Sequence, residues 1–269
     1  MIKFFKPVYA WAVGITSAIF TITPESVFIN HKLPLDIADD VNLVLTRIAF
    51  FVGIFILFSL GNLVYLPCRR KVNIKGRNYH IQIKYGNLLR ASKGKTIIPF
   101  DECFTTNVGK EPGDINPDSI CGQYLKEHPI QDMKVLLDQA HLHPASGVSK
   151  FQGKTKYISG KLVPNENYLL MSFAKLDEDG LGIMTRQEFL DCLSTLWEEI
   201  DKYYGQQDIN MPIIGSGVTR LNDLTQQELL DIIVESYKLS ARKIKTPCKL
   251  RIICKRRENF SLNKIGTTL

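Results

Sequence analysis

Nineteen consecutive residues, Ile48 to Leu66, carry no charge. About 20 apolar residues in helical form cross the hydrocarbon core of a bilayer, so this run constrains the chain more than any other feature. A shorter apolar run of sixteen residues, Pro7 to Ile22, precedes it. Val8, Trp11, Val13, Ile15, Ile19 and Phe20 make that run apolar nearly all round. Phe4 and Phe5 would lengthen it, with Lys3 and Lys6 reaching back to the interface. A basic start before an apolar stretch also fits a cleaved signal peptide. However, Thr23-Pro24-Glu25-Ser26 offers no small-x-small cleavage site, and a second span follows closely. The expectation is therefore a two-helix transmembrane hairpin over residues 1–71 and a soluble domain over 72–269.

Charge sets the orientation. Lys3 and Lys6 precede the first span, and Arg69, Arg70 and Lys71 follow the second. The intervening loop holds Glu25, Asp36, Asp39 and Asp40 against Lys32. The positive-inside rule then puts both termini in the cytoplasm, making a multi-pass protein of the cell inner membrane with a cytoplasmic domain. Arg47 falls at the outer edge of the second span, where snorkelling makes it tolerable. Gly53, Gly61 and Asn62 could face a partner helix, or they are ordinary span composition.

Residues 72–237 carry 17 basic and 22 acidic side chains, whereas residues 238–257 carry nine basic and no acidic ones. The basic stretch suits phosphate or anionic lipid, and equally a solvated strand with its flanks. The six cysteines form no CxxC pair and no zinc-like spacing, so neither a metal nor a disulfide framework is expected. The histidines are scattered, and His128, His141 and His143 suit surface or cap roles. No Ser/His/Asp or Cys/His arrangement is evident.

Beyond the anchor, two short strands flank the Gly76-Arg77-Asn78 turn within Val72 to Ile83, and Lys95 to Pro99 is another strand. A loop follows from Thr105 to Asp118. Asp118 or Ser119 can cap a helix running to Lys126. Ile130 to His141 has helical spacing. Then Tyr168–Leu176 reads as strand, Thr185–Tyr204 as helix, Ile209–Ile214 as strand, Thr225–Lys243 as helix and Leu250–Cys254 as strand. This alternation predicts an α/β fold, a mainly parallel mixed sheet covered by helices, with ligands bound at the carboxyl ends of the strands.

Two stretches carry candidate chemistry. In Pro212-Ile213-Ile214-Gly215-Ser216-Gly217-Val218-Thr219-Arg220-Leu221 a buried strand ends in a glycine-containing turn. Glycines let backbone N–H groups approach a phosphate, and Ser216, Thr219 and Arg220 can add hydrogen bonds. In Pro117-Asp118-Ser119-Ile120-Cys121-Gly122-Gln123-Tyr124 a helix N-terminus favours an anion, and Gly122 permits close approach. An ordinary capped helix explains the second stretch as well. Asp177-Glu178-Asp179-Gly180-Leu181-Gly182 with Glu188 has the spacing of a calcium loop, but Leu181 fills a ligand position and no paired loop exists.

With Ile97-Ile98-Pro99-Phe100-Asp101-Glu102-Cys103-Phe104, Tyr168 to Phe173 and Leu196-Trp197, these stretches make the chain from Val72 resemble the macro-like domain of Thoeris antiphage-defence ThsA proteins. The form resembled is the one with N-terminal transmembrane helices. The resemblance implies a receptor for an ADP-ribose derivative, histidine-conjugated ADP-ribose, made from NAD by a partner TIR-domain protein. It implies homo-oligomerisation on binding, disruption of membrane lipid, and no nucleic acid, metal or cofactor. It places ligand contacts at Asn87, Asp101, Glu102, Ser119, Cys121, Gly122, Gln123, Gly215, Ser216, Gly217, Val218, Thr219 and Arg220. Asn87 stands in Gly86-Asn87-Leu88, where macro domains usually carry an adenine-reading Asp. Asp101 and Glu102 replace the Asn-rich stretch of catalytic members, which argues for a non-catalytic receptor over a membrane-tethered ADP-ribosyl hydrolase.

Overall fold

The structure is a computed structural model, and it describes residues 2–31, 33–34, 37–217, 221, 224–258 and 260–265. The chain divides into two compact units, Met1–Arg69 and Arg70–Leu269. The first unit holds helices α1 (Ile2–Ile22), α2 (Glu25–Asn30) and α3 (Asp39–Cys68). Within α3, Asp39–Tyr65 is long and apolar enough to cross a bilayer, while the apolar part of α1, Val8–Ile22, is shorter. At a rise of 1.5 Å per residue the uncharged run of α3 spans about 28 Å, close to the hydrocarbon thickness. Val44, Ile48, Val52, Ile56, Leu60 and Val64 are exposed, as a lipid-facing helix requires.

Arg47 finds partners that its position in the sequence alone does not disclose. Its Nη2 lies 3.1 Å from Glu25 Oε1. Its guanidinium also lies 5.9 Å from the Phe20 ring centroid and 5.5 Å from that of Phe28. Phe20, Phe28 and Phe50 pack at centroid distances of 5.3 to 6.0 Å. The charge is thus held by an acid and by aromatic faces rather than by snorkelling alone. Around Gly53 and Gly61 an added Cβ would meet nothing within 4 Å.

The second unit is built on one twisted sheet. Its strands are β1 (Lys71–Lys75), β2 (His80–Tyr85), β3 (Lys95–Asp101), β4 (Leu162–Asn165), β5 (Tyr168–Leu176), β6 (Gly182–Ile183), β7 (Ile209–Pro212) and β8 (Leu250–Cys254). The order is β1-β2-β8-β7-β3-β5-β4, with β6 paired to β5. The five central strands β2, β8, β7, β3 and β5 are mutually parallel, and β1 and β4 close the edges antiparallel. Helices α4 (Ile120–Glu127), α5 (Met133–Gln139), α6 (Arg186–Tyr203) and α7 (Gln226–Leu239) lie in the connections.

Side-chain alternation divides the core in two. Ile97, Leu169 and Met171 point into a cluster with Phe189, Leu196, Leu229 and Ile233 of α6 and α7. Ile98, Phe100 and Leu170, one residue out of phase, point into a second cluster with Tyr124, Leu125 and Leu137 of α4 and α5. Covering both faces of a parallel sheet removes its strands from water, which is why β5 is buried almost throughout.

The helix ends follow local chemistry. Thr185 and Thr225 each close a capping box, with Glu188 and Glu228 three residues on. Ser240 ends α7 four residues short of the expected Lys243, and Asp132 starts α5 later than the expected Ile130. Strands β4 and β6 are additions to the sequence reading. Both are too short for a periodic signal.

Leu170 is fully buried on the α4 side. Leu170→Ala is expected to lower stability by about 2–5 kcal/mol through cavity formation. Urea denaturation of the full chain in detergent, followed by intrinsic fluorescence, measures this, and the midpoint should fall with little change of slope.

Candidate functional site

The parallel core sends the carboxyl ends of β2, β8, β7, β3 and β5 to one edge of the sheet. Open α/β sheets bind ligands at this edge. Asn87 leaves it just after β2, Gly215 to Gly217 just after β7, and Asp101 and Glu102 at the end of β3. Strands β7 and β3 pair in parallel near their amino ends, through Lys95 with Ile209 and Thr96 with Asn210, so both exits lie on the same edge of the sheet.

The exit of β7 is shaped by glycine. Gly215 has φ of +81°, and an added Cβ would meet Leu221 Cδ1 at 2.6 Å, so the turn folds down onto the α7 side of the core. Ser216 Oγ donates to the Ile213 carbonyl at 2.7 Å, which fixes the tip. Gly217 is exposed, and among the described residues an added Cβ there would meet nothing within 4 Å. Val218, Thr219 and Arg220 lie outside the described residues. Arg257, three residues beyond β8, donates from Nη1 to the Ser216 carbonyl at 2.9 Å. Arg256 lies 4.9 Å from the ring centroid of Tyr85, at the end of β2. The end of the basic stretch 238–257 therefore reaches this edge. Its earlier members make structural contacts: Lys238 with Glu235, Arg242 with Asp201 and Arg251 with Asp208.

The exit of β3 holds two buried carboxylates. Asp101 Oδ1 accepts from the backbone N–H of Cys103 at 2.8 Å and of Thr105 at 3.1 Å, while Oδ2 is buried without a partner. Burial holds its carboxyl above the usual carboxylate range, opposed by the hydrogen bonds from Thr105 and Cys103 and by the charge of Lys154. Glu102 Oε1 accepts from Ser149 Oγ at 2.6 Å and from the Leu176 N–H at 3.2 Å. That oxygen thus joins the end of β3, the end of β5 and the loop before Lys154. Burial pushes the Cys103 thiol up to about 11, so it is neutral near pH 7.

The helix at Ser119 differs from its expected form. Ser119 caps α4 by accepting from the Gly122 N–H at 2.9 Å and donating to the Asn116 carbonyl at 2.7 Å. The amide expected to face an anion is therefore engaged within the cap. Gly122 is small for another reason: an added Cβ would lie 2.2 Å from the Asn116 carbonyl oxygen. Cys121 is buried, its thiol held well above its ordinary range by burial and then by the charge of Asp101, which makes it a packing residue. Gln123 Nε2 donates to the Asp118 carbonyl at 2.8 Å. Asn87 is exposed, and its Oδ1 accepts from the Leu89 N–H at 3.0 Å.

A cleft of about 290 Å³ opens beside the β3 exit, between the segments 103–107 and 154–157. Thr105, Thr106, Asn107, Lys154, Thr155 and Tyr157 line it, with Cys103 and Phe104. Sequence reasoning missed it because its second wall, 154–157, carries no motif. The one signal was a lysine inside a run of turn residues. The calcium-like loop is accounted for differently: Asp177 Oδ1 accepts from the N–H groups of Asp179 and Leu181, and Glu188 binds Lys175 and Thr185. Among the described residues no cluster of three or more His, Cys, Asp or Glu side chains is placed to hold a metal.

A central sheet of five parallel strands with antiparallel edges, helices on both faces and glycine-walled strand exits defines a macro-type domain. Residues 81–255 match the model of the macro domain of the Thoeris protein ThsA, and the chain belongs to that family. A curated relative, the Thoeris protein ThsA of Bacillus amyloliquefaciens (strain Y2), is 25% identical over 265 residues, covering 94% of this chain and 86% of that protein. Among solved structures, a mutant of the Oceanobacillus iheyensis macrodomain is 8% identical with a TM-score of 0.46, covering 70% of this chain and 91% of that one. The macrodomain of Thermus aquaticus DarG is 13% identical with a TM-score of 0.39, covering 65% and 97%.

Two outcomes follow from the buried carboxylates. Glu102→Ala leaves the Ser149 hydroxyl and the Leu176 N–H without their acceptor and is expected to cost about 1–3 kcal/mol. Hydrogen exchange at 149–157 should rise more than in the α6–α7 core. Asp101 has a folded pKa above its unfolded value. The folded state then holds the proton longer, and stability falls as pH rises from the unfolded carboxylate pKa through the folded one. Asp101→Asn should flatten that fall, read from urea midpoints across the same window.

Proposed function

We propose that this chain is a membrane-anchored, non-catalytic receptor of Thoeris antiphage defence. In this reading residues 72–269 form a cytoplasmic macro-like domain that binds an ADP-ribose-derived signal, histidine-ADP-ribose, made by a partner TIR-domain protein. Residues 1–71 anchor it in the inner membrane through α3, with α1 as a second span. Binding promotes homo-oligomerisation, and the rearranged helices disrupt the bilayer.

The observation that carries the ligand reading is the exposed Gly217 backbone at the exit of β7, on the sheet edge that β3 also leaves, beside a fixed turn and the Arg257 guanidinium. A diphosphate needs backbone amides it can approach and a cation nearby, and Arg257 supplies the second where Val218–Arg220 were expected to. Family membership supports the role in Thoeris defence.

The receptor reading also draws on the state of the acids and thiols at this edge. Asp101 Oδ1 and Glu102 Oε1 are engaged by N–H and hydroxyl groups of the chain, and Cys103 and Cys121 are held as thiols. Nucleophilic chemistry by cysteine needs a thiolate at the working pH, and burial keeps both Cys103 and Cys121 from supplying one, which supports a receptor over a hydrolase.

Isothermal titration of the full chain in detergent with ADP-ribose and with histidine-ADP-ribose tests the proposal. Saturable binding without turnover is expected. Gly217→Trp should abolish it by filling the open approach. Arg257→Ala should weaken it about tenfold and make it less sensitive to salt, as loss of one charge-assisted contact implies. Absence of binding would end the proposal. Release of ADP-ribose from an ADP-ribosylated substrate would replace it with a membrane-tethered hydrolase.

A further inference from the structure

We infer that the cleft between segments 103–107 and 154–157 is the subsite for a carboxylate-bearing end of the ligand, with Lys154 as its counter-charge. This rests on the ligand reading above and adds which chemistry the far end of the ligand must carry.

Size comes first. At about 290 Å³ the cleft lies at the lower limit of the roughly 300–1,000 Å³ that whole small-molecule ligands occupy. It has room for one end of a ligand, while the β7 exit on the same sheet edge is where a diphosphate would lie. The walls come next. Thr105, Thr106 and Thr155 offer hydroxyls, Asn107 an amide and Tyr157 a phenol. Of the residues lining the cleft, Lys154 alone is charged at neutral pH, because the Cys103 thiol stays protonated. A lysine among neutral hydrogen-bonding groups is a site for an anion.

The position of Lys154 is built rather than incidental. Its ammonium lies 4.8 Å from the ring centroid of Phe151. Its carbonyl accepts from the Ser149 N–H at 2.8 Å, and its own N–H donates to the Phe151 carbonyl at 3.3 Å. Ser149 is in turn fastened to Glu102 Oε1 at 2.6 Å. The turn carries positive φ at Gln152 and Gly153. The contact recorded for the ammonium is the Phe151 ring, and Asp101 feels its charge through space.

The same neighbours limit the anion to a single charge. Asp101 and Glu102 directly precede the cleft-lining Cys103, their recorded hydrogen bonds run to the chain itself, and Asp101 is close enough to feel the charge of Lys154. A dianionic phosphate would meet one cation and two nearby acids. A carboxylate is matched by the one ammonium, and its two oxygens can also accept from the surrounding hydroxyls.

The test titrates the full chain in detergent with three probes: ADP-ribose, histidine-ADP-ribose, and the same conjugate with its carboxylate converted to the primary amide. Wild type should bind the carboxylate form about tenfold or more tightly than the amide. Lys154→Met, which keeps the stem and removes the charge, should bind the two equally and retain wild-type affinity for ADP-ribose. Lys154→Arg should keep a preference for the carboxylate. Equal binding of carboxylate and amide by wild type, or an undiminished preference in Lys154→Met, overturns the subsite while leaving the receptor reading intact. Failure of wild type to bind any of the three overturns both.

Discussion

One buried carboxylate organises the edge of the sheet on which everything else depends. Through a single oxygen, Glu102 takes the hydroxyl of Ser149 and the N–H of Leu176. It thereby holds the last residue of β5 and the 149–157 loop against the exit of β3. A charged group 4% exposed is costly to bury and is tolerated where its lone pairs are satisfied. The cost is offset by order. Without this contact the loop carrying Lys154 would be joined to the sheet mainly through the Tyr157 N–H, which donates to the Glu102 carbonyl at 2.8 Å. Main chain and side chain of one residue thus both hold the cleft wall, which explains how a turn-rich segment keeps a defined place.

Much of this fold was legible before any coordinates. The strands Tyr168–Leu176 and Leu250–Cys254 are observed with the bounds that hydrophobic runs and turn residues indicate. Of the two candidate caps Asp118 and Ser119 it is Ser119 that caps α4, and the helices expected to start at Thr185 and Thr225 do so, each behind a capping box. Local chemistry was a sufficient guide wherever the deciding partner is within four residues. Where the partner is distant, it was not. Arg47 with Glu25, Arg257 with Ser216 and Glu102 with Ser149 are separated by 22, 41 and 47 residues. No periodicity records such pairs, because they arise from the way sheet order and helix packing bring segments together.

The glycines show the same limit within the site. Gly122 and Gly217 look alike in sequence, each in a short polar stretch beside a helix. In the fold the two differ: a Cβ at Gly122 would strike the Asn116 carbonyl oxygen at 2.2 Å, whereas one at the exposed Gly217 would meet nothing within 4 Å among the described residues. The first glycine serves packing of the α4 cap, and the second leaves a backbone exposed at a strand tip. Glycine permits close approach in both cases, but what approaches is decided by the surrounding structure. In the proposed receptor the anion contacts would then fall to β7 and the arginines after β8.

A ligand can drive assembly only by binding the assembled state more tightly than the resting one, and moving an equilibrium from 1:99 to 99:1 takes about 5.5 kcal/mol of differential affinity. A diphosphate held at a single exit turn makes the same contacts in both states unless something else changes. The two exits differ in this respect. The β7 turn is fixed by Ser216 to Ile213 and by Leu221 beneath Gly215, which leaves it little to rearrange. The 149–157 loop is pinned at the buried Ser149 and Phe151, whereas the turn that follows, Gln152 and Gly153, is exposed and carries positive φ. Differential affinity is more readily stored in that exposed turn beside Lys154, since such a turn can be ordered by what it binds. In the proposed receptor, the part of the ligand that enters the Lys154 cleft would therefore be the part best placed to report occupancy to neighbouring molecules, and the diphosphate the part that supplies affinity common to both states.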